Sequence, residues 1–298
     1  MTKNVYDPIR RIYDKFHYMS KGHKLIANYI INHYDKAAFM TAAKLGEAVG
    51  VSESTVVRFA TELGFDGYPK FQKALQELIK SKLTSVQRIE VTSNMLNEEN
   101  VLKSVLQSDM EKIKRTMEEI DQSIFNKVVE SILNAKRIYI LGVRSSATLA
   151  GFLGFYFNLI FDNIRLVHTT SVSEMFEQII NASEGDVVIG ISFPRYSKRT
   201  IKALQYVKSK GATVVAITDS FDSPLVSYAD LALIARSDMT SFVDSLVAPL
   251  SVINALLVAI GMRKKEHISR TFETLEKIWD EYQVYEKYDN IEPSRKVD

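Results

Sequence analysis

The chain contains no cysteine, which excludes disulfide frameworks and thiolate metal sites. Its five histidines are scattered and none pairs at metal-ligand spacing, so neither a metal nor a cofactor is expected. Long apolar runs are missing as well. The longest, LAGFLGFYFNLIF from Leu149 to Phe161, falls short of the roughly 20 residues that a membrane-crossing helix takes. The opening MTKNVYDPIRRIYDKF mixes charge throughout and has none of the grammar of a secretory signal. These absences predict a cytoplasmic protein. There is no internal repeat and no low-complexity tract. An excess of one charge is also lacking, since the net charge is only +2. What is present is ordinary globular material: 298 residues, 46% hydrophobic and 25% charged, a length that suggests about two domains. The charge is unevenly spread, with twelve Lys/Arg against eight Asp/Glu in residues 1–80. That is the sign expected of a DNA-contacting module.

Up to about Lys82 the pattern is helical, with apolar spacings such as Leu25, Ile26, Tyr29 and Ile30 and turn signals at Gly22, Gly50 and Gly64 to Gly67. Residues 83–98, LTSVQRIEVTSNMLNE, lose that periodicity and gain Ser, Thr and Asn, which reads as a linker. From Glu99 two helical stretches lead into RIYILGV. After that, short β-rich runs alternate with helical ones: RIYILGV, IRLVHTT, DVVIGISF, TVVAITDS and DLALIA. Such alternation implies βαβ units and a largely parallel sheet covered on both faces. From Ser245 to about Asp289 the pattern is wholly helical. The expected architecture is therefore two-domain: an all-α N-terminal domain over 1–82, a linker over 83–98, and a doubly wound α/β domain with C-terminal helices over 99–289.

Within the first domain, TAAKLGEAVGVSESTVVRFATELGF from Thr41 to Phe65 has the grammar of a helix-turn-helix. Thr41 can cap one helix, Gly50 can supply the positive φ of the turn, and Ser52 can cap a second helix. Leu45, Val49, Val51, Val56 and Phe59 then fall where two helices face each other. Glu53, Ser54, Thr55, Val57, Arg58 and Thr61 are left near the outer surface of the second helix. Small polar residues and one arginine there suit a major groove, where Arg reads guanine and Ser or Thr reads bases or phosphates. An αα-hairpin that merely packs fits the spacing equally.

More of the segment distinguishes the two. VSESTVVRFATELGFDGYPKFQKAL closely resembles the N-terminal domain of the RpiR family of bacterial regulators of sugar metabolism. The matching features are Val51, Ser52, Thr55, Val56, Arg58, Phe59, Leu63, Gly64, Phe65, Gly67, Tyr68 and Phe71, within a match from about Ile9 to Ile79. The resemblance implies DNA contacts by Ser52, Ser54, Thr55 and Arg58, with phosphate contacts from Lys44, Lys70 and Lys73. Tyr68 and Phe71 read as core.

Two strand-to-helix junctions of the second domain carry unusual polar residues. In ILGVRSSATLAG, Gly142 ends a strand and Arg144, Ser145 and Ser146 open the next helix. In GISFPRYSKRT, Ser192 follows a strand and Ser197, Lys198 and Thr200 open the next helix, with Arg195 between. Ligands of open parallel sheets sit beyond the carboxyl ends of strands, where helix N-termini present free N–H groups. Hydroxyls and cations added there make an anion site. Helix capping alone would explain Ser145 and Ser197. Thr169, Thr170, Ser171 and Ser173 could line the same crevice or form a capped turn.

The spacing is neither GxxxxGK[ST] nor GxGxxG. From about Asp121 to Arg263 it is similar to the sugar isomerase (SIS) domain, which binds phosphosugars and follows the helical domain in RpiR-family proteins. The loop patterns Gly-x-Gly-x-Ser and Ser-x-Ser-Gly-x-Ser/Thr are met at Gly142 to Ser146 and Ser192 to Ser197. Arg144 replaces the second glycine of the first loop, and Pro194 and Arg195 replace the middle Ser-Gly of the second. Those changes remove backbone that can approach phosphate and one N–H donor, while adding cations that match phosphate or carboxylate two-pronged.

The resemblance implies a transcription regulator, not an enzyme, that binds operator DNA as a homodimer or higher homo-oligomer and responds to a phosphorylated sugar or polyol. Isomerisation would need a base. Glu174, Glu177, His168, Glu266 and His267 are the candidates, and none lies in a catalytic motif. An isomerase with an accessory helical domain, and a DNA-binding protein whose SIS-like domain only dimerises, are the competing readings.

Overall fold

The computed structural model of the protein describes residues 8–79, 84–89, 100–168, 171–237 and 242–285. The first helices are α1 (Pro8–Lys15), α2 (Lys21–Asn32), α3 (Tyr34–Ala37), α4 (Ala42–Val49), α5 (Glu53–Glu62) and α6 (Gly67–Ile79). Local signals start and stop them. Ser20, Thr41 and Ser52 sit extended before α2, α4 and α5, and each hydroxyl accepts a first-turn N–H, a cap typically worth about 1 kcal/mol. Gly50 ends α4 at φ 73°, a left-handed conformation that costs glycine little.

The helices close over one core. Leu45, Val56 and Phe59 are buried, with Val49 and Val51 packed against them, as the spacing predicts. Each fully buried side chain of this size contributes roughly 1.5–3 kcal/mol. Phe59, Phe65 and Tyr68 surround Phe71 with ring centroids 5.4 to 6.1 Å from it. Tyr68 donates its hydroxyl to Met40 O at 2.8 Å, so Tyr68 and Phe71 are core residues.

Part of the predicted linker is structured. Residues 85–89 form a short helix, α7, opened by a reciprocal cap. The Thr84 amide and hydroxyl both donate to Gln87 Oε1 (2.9 and 3.1 Å), and the Gln87 amide donates to Thr84 Oγ1 at 3.3 Å, the pattern of a capping box. Residues 90–98 of the linker lie outside the described residues.

The second domain runs α8 (Val101–Glu119), α9 (Gln122–Leu133), β1 (Ile138–Gly142), α10 (Ser145–Ile160), β2 (Ile164–Val167), α11 (Val172–Ile179), β3 (Val187–Ile191), α12 (Lys198–Ser209), β4 (Thr213–Thr218), β5 (Leu231–Ile234), α13 (Val247–Arg263) and α14 (Lys265–Glu281). The five strands form one parallel sheet in the order β2-β1-β3-β4-β5. Period-two alternation splits the strand residues between two cores. Ile138, Ile140, Val187, Ile189, Val215 and Ile217 meet α9, α10 and α13 on one face. Tyr139, Leu141, Val188, Val214 and Ala216 meet α11 and α12 on the other. Burial on both faces explains why the strand runs are nearly continuous in apolar residues.

From β1 the chain winds outward to β2, and from β3 it winds the opposite way to β4 and β5. The loops after β1 and β3 therefore diverge at the topological switch point, where such sheets open a crevice. At the C-terminal end, α13 and α14 meet at a 98° bend, and no single described helix is long and apolar enough to cross a membrane.

Candidate functional site

Two surfaces carry the polar residues that the sequence singles out. The first is the outer face of α5. Ser52, Ser54, Val57, Arg58 and Thr61 are exposed and Thr55 is half-buried. Ser52 is a hub: its hydroxyl lies 2.9 Å from Ser54 Oγ and 2.8 Å from Thr55 Oγ1 while accepting the Thr55 amide. The three hydroxyls thus form a single polar cluster at the positive end of the helix. Lys44 on α4 and Lys70 and Lys73 on α6 are exposed. A capped, solvent-facing second helix held at its base by Val56 and Phe59 has the build of a recognition helix.

The second surface is a cavity of about 470 Å³ at the switch point. Gly142 makes the first turn possible, because a Cβ there would lie 2.4 Å from Ser146 O. Arg144 follows at φ 57°, ψ −130°, in a region that non-glycine residues rarely occupy, and no side chain caps α10 behind it. The second loop repeats the device with Arg195 at φ 65°. The two glycines missing from the sequence pattern are thus replaced by arginines that hold a glycine-like backbone, at a cost on the order of 1–3 kcal/mol each.

The second loop is braced from beneath. Thr218 donates its hydroxyl to Ser192 O at 2.8 Å, and Tyr196 donates to Asp219 Oδ1 at 2.9 Å. Burial, and then the nearby Asp219 charge, push the Tyr196 phenol far above its ordinary pKa, so it stays a donor. Ser192 Oγ accepts the Ser197 amide at 3.2 Å. Ser197 Oγ in turn accepts the Arg199 and Thr200 amides, so this serine does cap its helix.

Arg144, Ser145, Ser146, Ser192, Arg195 and Ser197 all line the cavity. Lys198 and Thr200 are not among the lining residues. Thr200 is wholly buried, because a position three residues past the cap turns toward the sheet. Lys198 is exposed in the first turn of α12. Ser171 and Ser173 also stand apart, and Ser173 donates to Glu177 Oε1 at 2.9 Å, an ordinary helix-start contact. Thr169 and Thr170 lie outside the described residues.

Sequence reasoning missed three polar lining residues. Ser85 and Arg88 come from α7 and Asp244 from the segment before α13. Arg88 is 1% exposed and donates Nη1 to Asp244 Oδ1 at 2.7 Å, while Arg195 Nη1 donates to Ser85 Oγ at 2.8 Å. The signal available for α7 was Thr84-Ser-Val-Gln87, a capping-box spelling inside the polar stretch. Among the described lining residues there are three arginines and one carboxylate, an excess of positive charge of the kind that attracts anions.

A capped recognition helix ahead of a parallel-sheet domain with a cationic switch-point cavity defines a two-domain helix-turn-helix regulator. Residues 7–82 match the helix-turn-helix domain of the rpiR family, and residues 131–259 match the SIS domain. The chain belongs to the RpiR family of transcriptional regulators.

Individual relatives agree. The chain is 26% identical to the HTH-type transcriptional regulator HexR of Escherichia coli K12 over 280 residues, covering 90% of this chain and 93% of HexR. It is 28% identical over 228 residues to an uncharacterised HTH-type transcriptional regulator of Clostridium perfringens, covering 75% and 79% of the two chains. The sugar isomerase domain of an RpiR transcription factor from Sphaerobacter thermophilus is 26% identical at a TM-score of 0.56, covering 60% of this chain and 99% of that one. NanR of Vibrio vulnificus, solved in complex with ManNAc-6P, shares the fold at 22% identity and a TM-score of 0.55, covering 92% and 98%.

Proposed function

We propose that this regulator changes its operator affinity when a phosphorylated sugar or polyol occupies the switch-point cavity. The observation that carries the reading is the convergence of Arg144 and Arg195, both on glycine-like backbone, upon one cavity with Arg88. Strain of that kind persists where the surrounding structure enforces it for a purpose, and holding an anion is a purpose that arginine serves. The complex of NanR with ManNAc-6P supports the sugar-phosphate class. In this reading Arg144, Ser145, Ser146, Ser192, Arg195 and Ser197 contact the effector. Ser52, Ser54, Thr55 and Arg58 contact DNA, with Lys44, Lys70 and Lys73 on phosphates.

The protein acts as a regulator and not as an isomerase. Its curated relatives are named as regulators. Asp244, the one carboxylate among the described lining residues, is engaged by Arg88, whereas Glu174, Glu177, His168, Glu266 and His267 are exposed and outside that lining. A homodimer working in the cytoplasm completes the proposal. Exposed apolar side chains support the dimer: Phe155 and Tyr156 on α10, and Val258 and Met262 on α13. Two recognition helices on half-sites match the usual logic of the motif.

The test is fluorescence anisotropy on DNA from the protein's own promoter region at fixed salt, with and without a phosphosugar panel, because salt alone moves such affinities by orders of magnitude. Competitor-resistant binding that one metabolite changes several-fold is the expected result. Turnover of a phosphosugar by the purified protein would point to the isomerase instead.

A further inference from the structure

The short helix α7 touches both domains. Ser85 and Arg88, three residues apart and so on one helix face, point into the second domain's cavity, where they bond Arg195 and Asp244. Gln87 lies on another face, and its Nε2 donates to Asp35 Oδ2 of α3 at 3.1 Å. The same Gln87 closes the capping box with Thr84, so the side chain that reaches the first domain also holds the helix together. Position 88 is thus tied to the cavity and position 87 to the helix-turn-helix domain.

We propose that α7 is a wall of the effector cavity and the element that reports its occupancy to the DNA-binding domain, with Arg88 as an effector-contact residue. This inference rests on the reading of the cavity as an effector site. The chemistry follows from the pairing. Arg88 and Asp244 both line the cavity, and Asp244 keeps 17% of its side chain exposed. A phosphate entering there competes with Asp244 for the same guanidinium, and its higher charge and fork-matching oxygens favour it. Arg195 faces the same choice between the neutral Ser85 hydroxyl and the anion. Both exchanges pull on α7 at positions 85 and 88. A capped helix of this length moves as a unit, so Gln87 moves against Asp35. The free and occupied cavities then favour different placements of α3, which is the differential interaction that any ligand-driven shift requires.

The experiment uses the full-length protein and two readouts. Binding of a hexose 6-phosphate panel, ManNAc-6P and inorganic phosphate is measured by calorimetry, and the change in operator affinity that each probe causes is measured by anisotropy. Arg88→Lys keeps the charge and loses the fork, and is expected to weaken probe binding by about tenfold. Asp35→Ala lies outside the cavity lining. It is expected to bind the probe within about twofold of wild type yet to lose most of the probe-induced change in operator affinity. Thermal unfolding checks that Arg88→Lys folds, and Ser85→Ala replaces it if it does not. A wild type that binds and responds, with both variants indistinguishable from it, overturns this inference alone. A full response in Asp35→Ala overturns the reporting role. A wild type silent to every probe overturns the effector reading and this inference with it.

Discussion

Arg88 and Asp244 are 156 positions apart and meet at 2.7 Å through Nη1 and Oδ1. The pair joins a stretch that reads as linker to the entrance of α13, and it does so at the rim of the cavity built by the loops after β1 and β3. Removing either partner of so buried a pair leaves a charge without its counterpart, which is costly. The pair therefore fixes where α7 lies.

Arg58→Ala is expected to weaken specific operator binding by about 1–3 kcal/mol, the worth of a good arginine–base contact. Arg58 is exposed, so unfolding stability should stay within about 0.5 kcal/mol of wild type. Anisotropy beside chemical denaturation separates the two effects. Unchanged operator affinity would sink the assignment.

Ser197→Ala is expected to abolish the effector response and leave DNA binding intact. It also removes the cap on α12 that accepts the Arg199 and Thr200 amides, at about 1 kcal/mol of stability. A variant that still responds fully to the effector would refute the site.

Arg195→Gly should separate stability from function. The residue sits at φ 65°, where glycine is at ease and arginine is strained. Relief of strain outweighs the greater freedom of glycine in the unfolded chain, for a net gain of about 1 kcal/mol, while effector affinity falls with the loss of the guanidinium. Denaturant midpoints and calorimetry on one preparation measure both, and a destabilised variant that binds normally would contradict the account.

Tyr196 supplies a pH prediction. Its phenol ionises in the folded protein far above the ordinary value, because of burial and then the Asp219 charge. A group whose folded pKa is raised gives stability that is complete below the unfolded value and is lost as pH rises beyond it. Stability should therefore decline as pH climbs above about 10. In Tyr196→Phe that alkaline decline should be shallower, as read from unfolding curves between neutral and strongly alkaline pH. An identical decline in the variant would count against the assignment.

The sequence by itself determined the local elements. Thr41, Gly50 and Ser52 set α4, the turn and α5, and the five apolar runs set the five strands, because caps, left-handed turns and hydrophobic periods are written within a few residues. The same short-range reading located Gly142 to Ser146 and Ser192 to Ser197. Even α7 was spelled locally by Thr84 and Gln87. The tertiary structure alone decided what those elements face. Arg144 and Arg195 could be noted as departures from glycine, yet only the backbone shows that both keep φ above zero. Thr200 reads as a helix-start hydroxyl, and the packing of α12 on the sheet buries it. Arg88 meets Asp244, and Gln87 meets Asp35, through the path of the chain across two domains. No local period or spacing records a contact between segments that far apart, since it depends on how every intervening element packs.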